Sequence, residues 1–131
     1  MELGIKGTRE RVVTYEQTAE HLSSGLLPVF ATPCMIQFME ETARISVEPY
    51  LAEGQSTVGT VVNVKHLAST FVGCTVKCES ELIEVDRRRL VFNVKVFDDK
   101  ELLGEGIHER FIIDNAKFIA RLDEKKKSLG L

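Results

Sequence analysis

The sequence predicts an α+β fold in which a curved antiparallel sheet wraps around one long central helix. Two observations carry this prediction. A strongly apolar helical segment follows a Thr-Pro pair, and four consecutive segments after it alternate in the manner of strands. Short connections between the strand segments favour an antiparallel meander. A chain of 131 residues suits one domain, spanning residues 1–131.

The central helix is predicted between a start signal at Thr32-Pro33 and a stop signal at Pro49. Thr32 is expected to cap the helix through its hydroxyl, and proline is favoured in the first turn. Apolar side chains cover most of the helix, so it is expected to be wrapped by other structure. The remaining narrow polar strip consists of Gln37, Glu41, Arg44 and Glu48.

Four strands are predicted after the helix, at residues 57–66, 75–85, 90–97 and 102–113. In the first of them Val58, Val62 and Val64 are expected to share a face with His66. We also expect a short strand at 12–16, a loop or lid at 21–28 and a terminal helix at 115–128. One long buried helix followed by four long strands is the order of elements in the hotdog fold.

Composition excludes several classes of protein. The formal net charge of −3 argues against general nucleic-acid binding, which depends on excess Lys and Arg. No apolar run approaches the ~20 residues of a membrane helix, and the N-terminus lacks the apolar core of a signal peptide, so we expect a cytoplasmic protein. The three cysteines do not suggest a disulfide framework, and no further ligands are grouped with them, so neither a metal nor a cofactor is expected.

Three residues are candidates for chemistry, but each also has a structural interpretation. Glu40 lies only about 20° around the helix from Val47, beside the apolar stripe, and buried acids tend to mark function unless they extend to water. His66 ends a strand on the valine face, where a hydrogen-bonded core histidine is the simpler interpretation. Thr32 is already explained as a helix cap.

The run PVFATPCMIQFMEETA, then VGTVVNVKHLAST and GEGIHERFIID, resembles the fluoroacetyl-CoA thioesterase-like branch of the hotdog thioesterase superfamily. The resemblance covers residues 10–114. Its signature is a Thr at the helix start, a Glu eight residues later and a His 26 residues further, which here are Thr32, Glu40 and His66. The resemblance implies that these residues form a catalytic triad that hydrolyses an acyl-CoA thioester. It also implies that Gly59 and Arg110 hold the acyl-CoA, and that the chain works as a homodimer or higher homo-oligomer.

Thioester hydrolysis gives each residue type a role. Glu40 could attack the carbonyl or activate a water, His66 could carry the proton, and Thr32 could hydrogen-bond the carboxylate or the reacting oxygen. The N–H groups of Cys34 and Met35 are the expected free donors at the helix start. Because Thr32 and Glu40 lie roughly 12 Å apart along the helix axis, the spacing favours a site composed from two protomers.

Alternatives remain for several residues and for the function. Cys34 could be the nucleophile, since a thiol in a first helical turn has a lowered pKa, although no histidine is placed in sequence to serve it. The cluster Arg87 to Arg89 is either a solvated hairpin turn or a phosphate-binding patch. His108 is interpreted as structural or as pocket lining.

A non-catalytic acyl-CoA binding or sensing module is the alternative function. When the possible lid is taken to extend from His21 to Phe30, Phe30 is its single aromatic residue, and a general short- or medium-chain acyl group is expected.

Overall fold

The computed structural model describes all 131 residues. They form three α-helices, two short 3₁₀-helices and five β-strands, which are joined by turns and loops. The helices are α1 (Ala19–Leu22), α2 (Thr32–Val47) and α3 (Asn115–Ser128), and the strands are β1 (Lys6–Val12), β2 (Gln55–His66), β3 (Thr75–Asp86), β4 (Arg89–Phe97) and β5 (Leu102–Asp114). The predicted combination of one long helix with an antiparallel sheet is confirmed. None of the helices has the length and apolar character needed to span a membrane.

The five strands form one antiparallel sheet in the order β1-β3-β4-β5-β2. The strands β3, β4 and β5 make the predicted meander, but β2 pairs with β5 rather than with β3. The segment 67–74 therefore crosses between sheet positions instead of forming a hairpin. Two backbone hydrogen bonds fix this segment to its neighbours. The Leu67 N–H donates to the Leu103 carbonyl at 2.7 Å, and the Phe30 N–H donates to the Thr70 carbonyl at 3.0 Å. As a result, β2 is an edge strand with no partner strand on its outer side.

The first strand lies at Lys6–Val12, so the predicted strand at 12–16 is wrong. Alternation failed to reveal β1 because its long side chains are charged. Arg9 and Arg11 both bind Glu41 of α2, at 3.0 and 3.4 Å. Charged residues at these positions let the edge strand cover part of the helix while keeping their own charges paired.

The core lies between α2 and the inner face of the sheet. Met35, Phe38, Met39, Ala43 and Val47 of α2 are each at most 1% exposed. They pack in one cluster with residues of β3, β4 and β5, including Leu82, Leu90, Phe92, Val94, Val96 and Leu103. The expectation that the sheet wraps the helix is confirmed, because the helix is apolar on the side that the sheet covers.

A bulge in β2 decides which of its side chains face α2. Gly59 lies opposite Arg110 and Val61 lies opposite Glu109, so Thr60 is one extra residue in the strand. An inserted residue exchanges the two faces for everything that follows it. Gly59 before the bulge and His66 after it therefore both face α2, although they are seven positions apart.

The same bulge corrects one prediction about β2. Val58 is the neighbour of Gly59, whose missing side chain would point at α2, so Val58 points to the opposite face. It does not share a face with His66, because the alternation assumed an unbroken strand.

Candidate active site

Thr32 and His66 meet at the N-terminus of α2. The Thr32 hydroxyl oxygen and His66 Nδ1 share a hydrogen bond of 2.7 Å. The cap of α2 is Ala31, and Thr32 makes no side-chain capping bond, so the prediction of Thr32 as helix cap is wrong. The helical hydrogen bonds begin one residue earlier than expected, which leaves the Thr32 hydroxyl free for the imidazole.

Backbone N–H groups are free beside this pair. The Met35 N–H donates to the Ala31 carbonyl at 2.9 Å, so Met35 is not the free donor that was expected. Pro33 has no N–H, and the N–H groups of Thr32 and Cys34 have no acceptor in the chain. The N-terminus of a long helix with free N–H groups is suited to stabilise negative charge.

His66 is half-buried and has one ring nitrogen without a partner. Burial lowers the pKa of His66, and a weaker interaction with the Ala68 backbone acts in the opposite direction. The lowered pKa favours the neutral imidazole at pH 7. Its Nε2 atom is buried and makes no hydrogen bond. Buried polar atoms are rarely left without a hydrogen bond. The Nε2 atom of His66 is therefore a candidate contact for a group from outside this chain.

Glu40 lies in a second group of residues, two helical turns from Thr32. Its Oε2 atom is 4.0 Å from Arg110 Nη1. A Cβ atom added to Gly59 would lie 2.9 Å from the same oxygen, so glycine leaves the room that the carboxylate occupies. The Glu40 side chain is 41% exposed, which places it at the edge of the buried stripe and within reach of a ligand.

Arg110 is buried and held on three sides. Its Nε donates to the Thr57 hydroxyl at 2.8 Å and its Nη2 donates to the Thr57 carbonyl at 2.9 Å. Its Nη1 donates to His108 Nε2 at 3.2 Å. Burial lowers the pKa of Arg110, and the charge of Glu40 opposes this effect. The guanidinium is thus a fixed positive charge next to a carboxylate.

Within one chain the predicted site residues form two separate groups. Thr32 contacts His66, and Glu40 neighbours Gly59 and Arg110. About 12 Å of helix axis separates the two groups at the rise of an α-helix. Thr32 and Glu40 lie on α2, and Arg110 lies on β5. Gly59 and His66 both face α2 from β2, because the bulge lies between them.

The interpretation of His108 as structural or as pocket lining agrees with its position beside Arg110. His108 is only 1% exposed and contacts Arg110, so it belongs to the Glu40 group. Its position two residues before Arg110 on β5 was the available signal, since residues i and i+2 of a strand share a face.

Two other candidates find structural explanations. Burial raises the pKa of the Cys34 thiol, with Arg11 opposing, which favours the protonated thiol over the nucleophilic thiolate. Arg89 is paired with Glu84 and Glu109, and Arg87 is exposed beside Asp86, which agrees with the interpretation of this cluster as a solvated hairpin turn.

Comparison with known proteins gives consistent results. The model of a family described as fluoroacetyl-CoA-specific thioesterase matches residues 13–116. The fluoroacetyl-CoA thioesterase of Streptantibioticus cattleyicolor is 35% identical in an alignment of 131 positions that covers 95% of this chain and 94% of that protein.

Solved structures are similar over nearly the whole chain. A structure of the fluoroacetyl-CoA thioesterase FlK has a TM-score of 0.90 at 35% identity and covers 95% of this chain and 97% of its own. A thioesterase superfamily member from Thermus thermophilus has a TM-score of 0.91 at 30% identity, with coverages of 98% and 96%. The fold of this chain is therefore that of hotdog thioesterases.

Proposed function

Because the chain belongs to the family of fluoroacetyl-CoA-specific thioesterases, we propose that it hydrolyses an acyl-CoA thioester through Thr32, Glu40 and His66. The observation that carries the proposal is the hydrogen bond between Thr32 and His66 at the free N-terminus of α2. It provides a neutral imidazole, a hydroxyl and unpaired N–H groups in one place. The carboxylate of Glu40 lies two helical turns further along the same helix, beside Arg110.

The residue types account for each step of the reaction. Glu40 supplies an electron pair, either by attacking the thioester carbonyl or by deprotonating the water that attacks it. When Glu40 deprotonates the water, the C–S bond breaks and neutral His66 relays that proton to the departing coenzyme A thiolate. When Glu40 attacks the carbonyl, the thiolate leaves an anhydride on Glu40, and neutral His66 takes a proton from the water that hydrolyses this anhydride. The Cys34 N–H and the positive end of α2 stabilise the oxyanion. Thr32 orients the imidazole through Nδ1, so that Nε2 faces the reaction.

A second copy of the chain completes this site. Residues 59–63 of β2 are all exposed, including Val61 at 40% and Val62 at 43%. An exposed edge with apolar side chains is suited to pair with another strand. Antiparallel pairing of two β2 strands about a twofold axis brings the His66 end of one strand beside the Gly59 end of the other. Glu40 of the partner subunit then approaches Thr32 and His66, and both groups of residues contribute to one pocket.

Gly59 and Arg110 are the proposed substrate-binding residues. Gly59 leaves the space that the Glu40 carboxylate occupies, where a larger residue would collide with it. Arg110 places a positive charge beside the position at which the thioester carbonyl must lie to react with Glu40. The bound acyl-CoA is therefore expected to lie against the Glu40 carboxylate, which Gly59 accommodates and Arg110 faces.

The activity is tested with a panel of acyl-CoA thioesters that includes fluoroacetyl-CoA, acetyl-CoA and straight acyl chains of increasing length. We expect release of free thiol, measured with a thiol reagent, from at least one substrate. Acyl-CoA samples without protein provide the background rate. Thermal stabilisation by acyl-CoA with no thiol release from any substrate would contradict hydrolysis and indicate a binding module.

The shared site is tested by mixing subunits. A Glu40→Gln chain and a His66→Ala chain, each inactive alone, are co-expressed with different tags. A dimer of one chain of each kind keeps one intact composite site, so an equal mixture is expected to reach about a quarter of wild-type activity. A mixture that stays inactive although mixed dimers are isolated would place all three residues of a site in one chain.

The matched control uses a chain with both substitutions, mixed equally with wild-type chain. If sites are shared, a mixed dimer has no intact site, and the mixture is expected to retain about a quarter of the activity. If each site lies within one chain, about half is retained, because every wild-type chain keeps its site.

A further inference from the structure

We propose that His108 is a positioning residue of this thioesterase, which fixes the guanidinium of Arg110 and thereby the direction of the charge that faces Glu40. The inference rests on the proposed role of Glu40 in hydrolysis. It assigns a function to a buried histidine that neither touches the thioester nor lies in the triad. Its basis is a chain of three contacts from the bulge of β2 to the carboxylate.

The two contacts of His108 determine its protonation state. Nδ1 lies 2.8 Å from the Val61 carbonyl, which can only accept, so Nδ1 carries the hydrogen. Nε2 lies 3.2 Å from Arg110 Nη1, which can only donate, so Nε2 carries none. The imidazole is therefore neutral and in one tautomer. Burial also lowers the pKa of His108, with weaker contributions from neighbouring groups.

The contact with Arg110 is made at the nitrogen that faces Glu40. Nη1 both donates to His108 and lies 4.0 Å from Glu40 Oε2. At 4.0 Å the two charges attract without forming a direct hydrogen bond, so the carboxylate keeps its lone pairs for the reaction. Thr57 holds the other side of the planar guanidinium. His108 thus fixes the edge of the guanidinium that acts on the carboxylate.

Two further features hold the imidazole in its plane. The Phe92 ring stacks against it with a centroid distance of 6.3 Å and an interplanar angle of 27°. A Cβ atom on Gly59 would lie 3.3 Å from its Cε1 atom, so glycine leaves space for the ring as well as for Glu40. Val61 directly follows the extra residue of the bulge. The bulge, the ring and the guanidinium therefore form one connected unit.

Two substitutions separate the two hydrogen bonds of His108. The side-chain carbonyl of His108→Gln reaches the position of Nε2 and still accepts from Arg110. The amide of His108→Asn reaches the position of Nδ1 and still donates to Val61, but leaves Arg110 Nη1 without this acceptor. We expect the Asn variant to lose about 10²-fold in kcat with little change in KM, as small misplacements of reacting groups do. The Gln variant is expected to stay within a few-fold of wild type.

Thermal unfolding of both variants accompanies the kinetics. If kcat falls in proportion to Tm in both variants, His108 has only a packing role. That result would overturn the inference. Glu40→Gln is measured in parallel. If Glu40→Gln keeps wild-type turnover, the proposed catalytic role of Glu40 fails. If it is inactive while the Gln and Asn variants of His108 have equal kcat, only the role of His108 fails.

A measurement on the wild-type protein keeps the inference testable if the variants fold poorly. Ring ¹⁵N chemical shifts of His108 report which nitrogen carries the hydrogen. We expect hydrogen on Nδ1 and none on Nε2 at pH 7. Hydrogen on Nε2 would overturn the inference, because Arg110 could then not donate to it.

Discussion

Replacing Glu40 by Gln is expected to lower kcat/KM by about 10³-fold, the largest effect of any single substitution in the chain. Glutamine has the same shape as glutamate but carries no charge. It can neither attack the thioester carbonyl nor accept a proton from water. Because the side chain lies at the edge of the core, the substitution is expected to leave the fold intact. Thiol release under substrate-limited conditions measures the effect, and circular dichroism checks the fold.

Glu48→Gln provides the matched control. Glu48 follows the last turn of the same helix, is exposed, and pairs with Arg44. Its substitution removes the same charge from the same element and is expected to change kcat/KM by less than about twofold, as for other surface ion pairs. If Glu40→Gln also remained within a few-fold of wild type, the carboxylate would have no part in the chemistry.

Replacing His66 by Ala is expected to reduce kcat by about 10²-fold, the second largest effect. The substitution removes the proton carrier and leaves the Thr32 hydroxyl without its partner. His21→Ala is the control. His21 is exposed on α1, and its ring makes an edge contact with the Tyr15 ring. Equal activity of the two variants would exclude His66 from proton transfer.

The pH dependence of the wild-type enzyme gives a second measurement on His66. Burial lowers the pKa of His66 below its ordinary value of 6.5, so the imidazole stays neutral down to a lower pH than a free histidine. If the neutral form is required, kcat/KM falls only as pH drops below 6.5, when the imidazole takes up a proton. An acid limb with its midpoint above 6.5 would assign the titration to another group. The limb should disappear from the residual activity of His66→Ala.

The sequence predicted the elements that depend on local pattern. Apolar periodicity placed α2 and the three strands of the meander within a few residues, and α3 was predicted with its observed bounds. It failed for β1, because Arg9 and Arg11 pair with Glu41 and so replace the apolar residues that mark a strand. The pairing of β2 with β5 was not predictable, since local alternation contains no information about which strands are neighbours.

The candidate site could be predicted only in part. The triad came from the resemblance to a family, because Thr32 and His66 are separated by 34 positions and neither is unusual alone. The capping role assigned to Thr32 was wrong, since the residue type suits both a cap and a hydrogen bond to histidine. The arrangement of His108 with Arg110 was missed because the direction of a buried side chain depends on contacts across strands.

Because of the bulge at Thr60, the face to which His66 points depends on the number of residues between Gly59 and His66. Two proteins with identical residues at every site position, but with one residue more or fewer between Gly59 and His66, would present the imidazole to opposite sides of the sheet. In this segment the number of residues, and not only their identity, determines the orientation of His66. A relative that has the histidine but a different length in this segment is expected to lack the hydrogen bond between Thr32 and His66.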